Sequence, residues 1–257
     1  MELKDKIIVI TGAGSGIGRA LAHRFSAEGP KHIIAVDINQ APVQAVANEL
    51  NCTAMTADVS SEDDIAALIE RVESEIGPID LFCSNAGVGL APAIESPNEQ
   101  WQASWDINVM SHVYAARHLL PRMIARGGGY FMNTASAAGL LNQIDGAAYG
   151  VTKHAAVGFG EWLAIHHAHE GIKVSMLCPQ AVRTAMTDND EPATKAAAND
   201  GMMEPEALAE VVIDKLREES FLILPHKEVL EYMQRKTSDY DRWIGGMNRL
   251  MKKIRSL

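Results

Sequence analysis

A tyrosine and a lysine one helical turn apart, Tyr149 and Lys153 in Y-G-V-T-K, follow Ser136 in the second half of the chain. On a helix, residues at i and i+4 share a face. A phenol with a pKa of about 10 is a poor base at neutral pH. A neighbouring ammonium, joined by the positive ring of an oxidised nicotinamide, favours the phenolate. Such a group can take a hydroxyl proton while hydride leaves the carbon. Ser136 is then placed to hold the substrate oxygen. A Tyr/Lys pair alone carries little weight, because an exposed helix can show that spacing by chance.

The upstream half supplies the second signal. T-G-A-G-S-G-I-G runs from Thr11 to Gly18. Gly12, Gly16 and Gly18 let the backbone turn tightly and approach a pyrophosphate at a helix N-terminus, with Gly14, Ser15 and Ile17 in the same loop. The spacing T-G-x-x-x-G-x-G differs from the common G-x-G-x-x-G fingerprint. Asp37 closes the second apolar run. A carboxylate there can accept from both ribose hydroxyls and repels a 2′-phosphate. Ile38 and Asn39 follow it and Ser15 lies in the glycine loop, so no sequence-adjacent cation offsets that charge. The pattern favours NAD over NADP. The plainer role for Asp37 is a cap on the next helix. Asp58-Val59 and Asn85-Ala86-Gly87 also follow strand-like runs, where ligands bind in open α/β sheets. Asp58 could accept from an adenine amino group or cap the helix ahead of Ser60-Ser61.

Short β-branched runs at 7–10, 33–36, 53–56, 81–83, 130–133, 174–177 and 221–224 alternate with helix-like stretches at 17–27, 40–50, 62–76, 99–126, 148–170 and 205–219. Continuous apolar strands suit a sheet covered on both faces. The alternation predicts an α/β fold, a single-domain, Rossmann-like, doubly wound sheet of seven parallel strands spanning residues 1–257. Segment 184–203 is polar and aperiodic and reads as a mobile lid. The tail, 225–257, reads as helical with a break at Gly245-Gly246.

With 47% apolar residues the chain can bury a sizeable core. A net charge of -10 argues against nucleic acid as a partner. No apolar run is long enough for a membrane span, and the N-terminal residues do not read as a signal peptide. Cys52, Cys83 and Cys178 are odd in number and scattered, which argues for a reducing compartment, the cytoplasm. His166, His167 and His169 cluster, but placement near a helix C-terminus explains them better than metal ligation, and no metal is expected. Met186, Met202 and Met203 flank the lid and suit an adaptable apolar wall or its packing. Trp101, Trp105 and Tyr114 read as core or subunit contacts.

Taken together, T-G-A-G-S-G-I-G, Asp37, Asp58-Val59, N-A-G at 85–87, Asn108, Ser136 and Y-G-V-T-K resemble the short-chain dehydrogenase/reductase family in its compact form. The resemblance covers roughly residues 6–224. It implies four catalytic positions, Asn108, Ser136, Tyr149 and Lys153. It implies that the asparagine holds a water in a proton relay and that the lysine also binds the nicotinamide ribose. The family's P-G-x-V-x-T is matched by P-Q-A-V-R-T here, so Pro179, Val182 and Thr184 fall at nicotinamide-contacting positions, with Gln180 replacing glycine. A homodimer or homotetramer built on the helices at 99–126 and 148–170 is also implied.

The expected function is hydride transfer between NAD and a secondary alcohol or ketone, small or medium and largely apolar. Leu90, Leu140, Leu141, Ile144 and Met186 are candidates for its pocket, with Asn142, Gln143 and Gln180 adding polar selectivity. Two alternatives are disfavoured. A non-catalytic nucleotide-sensing module is disfavoured by the intact Asn108/Ser136/Tyr149/Lys153 set. An NADPH-dependent 3-oxoacyl-carrier reductase is disfavoured by Asp37 and by net acidity, which opposes docking an acidic carrier.

Overall fold

In the computed structural model, which describes residues 1–256, the apolar runs become seven parallel strands: β1 (Ile7–Thr11), β2 (His32–Asp37), β3 (Thr53–Thr56), β4 (Leu81–Ser84), β5 (Gly129–Thr134), β6 (Ile172–Leu177) and β7 (Leu222–Ile223). Their order is β3-β2-β1-β4-β5-β6-β7. It reverses between β1 and β4, which opens a crevice at their carboxyl ends. Register places Thr11 beside Val36 and Ser84 beside Asn133, so the strand ends lie near one level.

The helices are α1 (Gly16–Ser26), α2 (Gln40–Leu50), α3 (Glu62–Glu75), α4 (Asn98–Trp105), α5 (Ser111–Ala125), α6 (Ala138–Leu141), α7 (Ala147–His167), α8 (Pro192–Ala197), α9 (Pro205–Arg217), α10 (Glu228–Ser238) and α11 (Tyr240–Arg255). They cover both sheet faces. On one face Leu68 of α3, Leu119 of α5 and Leu163 of α7 pack with Val9, Phe82 and Phe131. On the other, Leu21 and Phe25 of α1 and Leu208 and Val212 of α9 pack with Ile8, Leu81 and Tyr130. Each such fully buried side chain contributes about 1.5–3 kcal/mol. Two-sided burial is why the strands read as unbroken apolar runs.

Three sequence expectations are corrected. The single helix expected over 99–126 is divided: Asp106–Met110 forms one π turn between α4 and α5, with the Ser111 N–H bonded to the Asp106 carbonyl. Segment 184–203 is not structureless, since it holds a 3₁₀ turn at Ala185–Thr187 and the short helix α8. The tail does not break at Gly245-Gly246. It breaks at Asp239, whose carboxylate caps α11 by accepting from Arg242 N at 3.0 Å.

The tail is fastened over the carboxyl side of the sheet. Val229, Tyr232, Met233 and Trp243 pack on Ala137 and Leu141. Lys236 Nζ donates to the Leu140 carbonyl at 2.6 Å, and Arg255 pairs with Asp145. Among the described residues no helix is long and apolar enough to cross a membrane.

Candidate active site

The glycine loop closes on itself where β1 becomes α1. Gly12 sits at φ +67, and a Cβ on Gly18 would stand 2.1 Å from the Gly12 carbonyl oxygen, so only glycine fits there. The first N–H groups of α1 have no intrahelical partners and point out of the loop. Asp37, at the end of β2, accepts from Gly14 N at 3.0 Å through one oxygen and from Asn39 N at 3.0 Å through the other. Asp58 accepts from both the backbone N–H and the hydroxyl of Ser60, at 2.9 and 2.7 Å. Ser61, not Asp58, caps α3.

Asn85 ties three strand ends together. Its N–H and that of Ala86 donate to Thr11 Oγ1 at 2.9 and 3.1 Å. Its amide donates to the Thr11 carbonyl and accepts from Thr134 Oγ1, both at 3.1 Å. Sequence reading singled out Asn85 but missed Thr11 Oγ1 and Thr134, whose roles appear only once strands distant in sequence are paired.

The glycine loop and the strand ends border a cleft of about 330 Å³. Gly12, Ser15, Gly16, Ile17, Asp37, Ile38, Asp58, Val59, Asn85, Ala86, Gly87, Tyr149, Lys153, Pro179, Val182 and Thr184 all border it. Gly14 and Gly18 stand behind it, one under Asp37 and one against Gly12.

Helix α7 brings Tyr149 and Lys153 to the inner end of the cleft, as i,i+4 spacing requires. Lys153 is 3% exposed, and its ammonium donates to the Thr134 carbonyl at 3.1 Å. Burial pulls its pKa down to about 8. Burial pushes the Tyr149 phenol above its ordinary value, and a hydrogen bond from the Ser136 side chain draws it back. Ser136 follows β5, and its Oγ accepts from Ala138 N at 3.1 Å.

Asn108 lies in the π turn, where one extra residue re-aims the helix face. It is fully buried and borders neither cleft nor cavity. Its Oδ1 accepts from Val88 N at 3.0 Å, and its Nδ2 donates to the Val88 carbonyl at 2.9 Å and to Thr152 Oγ1 at 3.1 Å. Both amide hydrogens are engaged. Gly87 separates it from the lysine: a Cβ there would lie 3.1 Å from Asn108 Oδ1 and 3.2 Å from Lys153 Nζ. Thr152, part of this lock, gave no signal in the sequence beyond its place between Tyr149 and Lys153.

A second, larger cavity of about 710 Å³ adjoins the cleft, and Ser136, Tyr149, Gln180, Met186 and Thr187 border both. Leu90, Leu141, Ile144 and Met186 line it, as do Asn142, Gln143 and Gln180. Leu140 does not; it packs into the core, while its carbonyl anchors Lys236. The outer wall comes from the tail, through Tyr232, Arg235, Trp243, Met247 and Leu250, which sequence reading did not assign to the site.

The histidine cluster is engaged locally. His166 Nδ1 donates to the Trp162 carbonyl at 2.8 Å, and His167 pairs with Glu170 at 2.6 Å. Among the described residues no three His, Cys, Asp or Glu side chains form a metal-binding group.

A family model for short chain dehydrogenases matches residues 6–195. A 1-deoxy-11-beta-hydroxypentalenate dehydrogenase of Streptomyces exfoliatus is 31% identical over 237 residues, covering 89% of this chain and 86% of that one. A meso-2,3-butanediol dehydrogenase of Serratia marcescens is 33% identical over 192 residues, covering 73% and 76%. Among solved structures, a short-chain dehydrogenase/reductase from Burkholderia phymatum in complex with NAD superposes with a TM-score of 0.86 at 27% identity, covering 94% of this chain and 96% of that one.

Proposed function

Since the chain belongs to the short-chain dehydrogenase/reductase family of oxidoreductases, we propose that it transfers hydride between NAD(H) and a secondary alcohol or ketone, with Tyr149 as the general acid and base. One observation carries this reading: Ser136 and Tyr149 border both the cleft and the adjoining cavity. A reacting carbon held from the cavity side meets a nicotinamide held from the cleft side at those two hydroxyls.

The cleft suits a dinucleotide. The glycine loop has no room for a Cβ at Gly18, and its helix N–H groups suit a pyrophosphate. Asp37 suits the adenosine ribose, Asp58 and Val59 the adenine, and Pro179, Val182 and Thr184 the carboxamide. Among the described residues bordering the cleft, Lys153 is the only lysine or arginine. That composition favours NAD over NADP, whose extra phosphate would find Asp37 and no cation. When bound, NAD supplies the hydride acceptor.

The chain's own residues do the rest. Ser136 Oγ and the Tyr149 hydroxyl hold the substrate oxygen. Tyr149 takes the carbinol proton in oxidation and returns it in reduction. Lys153, anchored on Thr134, keeps a positive charge beside the phenol and serves the nicotinamide ribose. Asn108 holds the Val88 backbone and Thr152, and so fixes the wall behind Lys153 and the helix that carries it.

The cavity wall is mostly apolar, through Leu141, Ile144, Met186 and Trp243, so it suits a largely apolar substrate. Its size, about 710 Å³, extends the expected range toward bulky ones. The pentalenate and butanediol dehydrogenases among the relatives bracket that range by their names. Exposed Trp105, Trp162 and Ile165, at 40%, 48% and 76%, support assembly of a homodimer or homotetramer through α4, α5 and α7. Free Cys52, Cys83 and Cys178 support a cytoplasmic setting.

The test is turnover of a panel of secondary alcohols and ketones with NAD(H) and NADP(H) in parallel. Turnover with NAD that vanishes in Tyr149→Phe supports the reading. Dinucleotide binding without turnover of any alcohol or ketone would instead mark a binding protein.

A further inference from the structure

Each arginine from Arg19 to Arg235 forms an ion pair with a carboxylate, and so does Arg255. Among the described residues, Arg242 and Arg249 of α11 do not. Arg242 is held through its backbone N–H alone, by Asp239. Both arginines border the cavity of about 710 Å³, and neither borders the cofactor cleft. The chain carries a net charge of -10, so carboxylate partners are not scarce. The tail, 225–257, runs the other way, with eight Lys or Arg against four Asp or Glu. Bare guanidinium groups at the cavity are therefore a local feature of the tail.

Helix geometry sets how they stand. At i, i+4 and i+7, Arg242, Gly246 and Arg249 form one stripe of α11, and Trp243, Met247 and Leu250 form the next. Both stripes border the cavity. Arg249 leans toward the helix N-terminus, as long helical side chains do. A Cβ on Gly245 would stand 3.5 Å from its Nη1, and one on Gly246 would stand 3.8 Å from its Nη2. Glycine is a poor helix former; here the pair leaves no side chain under the guanidinium. Three carboxylates also border the cavity. Asp145 pairs with Arg255, Asp200 accepts from the Tyr232 hydroxyl and the Gln180 amide, and Glu191 is exposed just ahead of α8.

A guanidinium pairs best with a carboxylate or phosphate, whose oxygens match its planar fork. We infer that the substrate carries such an oxyanion, set apart by an apolar stretch from the carbon that is oxidised or reduced, and that Arg242 and Arg249 bind it. This rests on the dehydrogenase reading above. Ser136, which is buried, marks the inner end of the cavity, and the exposed arginines mark its solvent end. The wall is apolar at Leu141, Ile144 and Trp243. An oxyanion at the solvent end keeps part of its hydration while the apolar body is buried, which avoids the cost of full desolvation. The two arginines govern specificity and leave the reacting atoms to Ser136 and Tyr149.

The experiment uses methyl ketones of increasing chain length that end in a carboxylate, a phosphate or a neutral methyl ester, with NADH as cofactor. At the best length an oxyanion should exceed the ester in kcat/KM by about tenfold. The ratio should shrink as ionic strength rises, because exposed pairs are screened. Arg242→Gln and Arg249→Gln should each lower it, and the double variant should bring it near one while the NADH dissociation constant holds. Lys252→Gln removes a charge from the same helix away from the cavity and should keep the ratio. A preference for either oxyanion that follows this pattern supports the inference. A wild-type ratio near one at every length, or a ratio that survives the double variant, overturns it. So does an equal fall in Lys252→Gln, which would assign the effect to the general charge of the tail. Calorimetric titration of the same ketones into the enzyme–NAD complex makes the comparison without turnover. If no ketone is reduced, the dehydrogenase reading fails, and the titration still decides whether the arginines bind an oxyanion.

Discussion

Lys153 Nζ stands 5.6 Å from the centre of the Tyr149 ring, yet its hydrogen bond goes to the Thr134 carbonyl at 3.1 Å. The ammonium is thus tied to the end of β5 and acts on the phenol through space. Burial works on both groups, lowering the lysine to about 8 and raising the tyrosine. In the free protein Tyr149 is a neutral phenol. It is therefore ready as the acid for ketone reduction, whereas alcohol oxidation needs additional positive charge or higher pH.

Tyr149→Phe should lower turnover by about 10²–10⁴-fold, the usual contribution of a general acid–base group. The NAD dissociation constant, followed by fluorescence titration, should stay close to wild type. In the wild type, oxidation should climb with pH while reduction stays level through neutrality. That follows from the raised phenol pKa, which keeps the proton-donating form dominant there. Near-normal turnover in Tyr149→Phe would remove Tyr149 from its role.

Lys153→Met should separate stability from function. Unfolded, the lysine holds its proton up to about 10.5; folded, it gives it up near about 8. Between these values the unfolded chain binds more protons, so wild-type stability rises with pH across that window. Below it the buried charge is a burden of about 3 kcal/mol, lightened in the variant by the loss of the charge. The variant should melt higher than wild type at pH 7, with the gap narrowing toward pH 10. Its turnover should be lost and its NAD affinity weakened. A lower melting temperature at pH 7 would show that the Thr134 hydrogen bond outweighs the burial penalty.

The strands were legible because two-sided burial writes itself as unbroken apolar runs; even the weak third strand falls at Thr53–Thr56. Most of the proposed cofactor contacts, such as Asp37, Asp58 and Asn85, follow strand ends, a position that local order sets, whereas Tyr149 and Lys153 lie within α7. Asp106–Met110 was not legible as a π turn, since one inserted residue barely disturbs a helical pattern. Gly245-Gly246 misled because glycine pairs usually end helices, whereas here the Arg249 guanidinium lies beside them and α11 runs through. Ser238-Asp239 held the true break, and Asp239 is a good capping residue. The cavity wall from Tyr232 and Trp243 and the Gln180–Asp200–Tyr232 chain join segments far apart in sequence. No local pattern encodes such contacts.

Segment 184–203 should gain protection when cofactor and substrate bind together. Its base is stitched by Arg183 N to the Met203 carbonyl at 2.9 Å and Met203 N to the Ala181 carbonyl at 3.0 Å. Its far end is held through Asp200, which accepts from the Tyr232 hydroxyl at 3.0 Å. Between them the 3₁₀ turn and α8 have no fully buried residues. Such a segment opens at low cost. Hydrogen exchange should slow across 185–199 in the ternary complex and change little at 181–183. Equal exchange with and without ligands would make it a passive surface loop.

Asp37 should decide the cofactor, and its geometry says how. The carboxylate is held by Gly14 N and Asn39 N, each at 3.0 Å, so it cannot swing away from an incoming 2′-phosphate without losing both bonds. Gly14 leaves the room for this, since a Cβ there would meet Asp37 Oδ2 at 2.9 Å. The nearby basic side chains of α1 are otherwise engaged: Arg19 and His23 both bind Glu49, at 3.0 and 2.9 Å. Two like charges at about 4 Å repel by about 4 kcal/mol at an effective dielectric near 20. Asp37 is partly exposed, and solvent screening to about a third of that still leaves about tenfold in affinity. Wild-type kcat/KM should therefore favour NAD over NADP by at least about tenfold. Asp37→Ala should erode the preference mainly by losing NAD affinity, because the ribose hydroxyls lose their acceptor. Adding Ile38→Arg should begin to reverse it, since Ile38 is 60% exposed and borders the cleft, where a guanidinium can reach the phosphate. Equal use of both cofactors by the wild type would mean that a cation from elsewhere in the chain reaches the ribose when the cofactor binds.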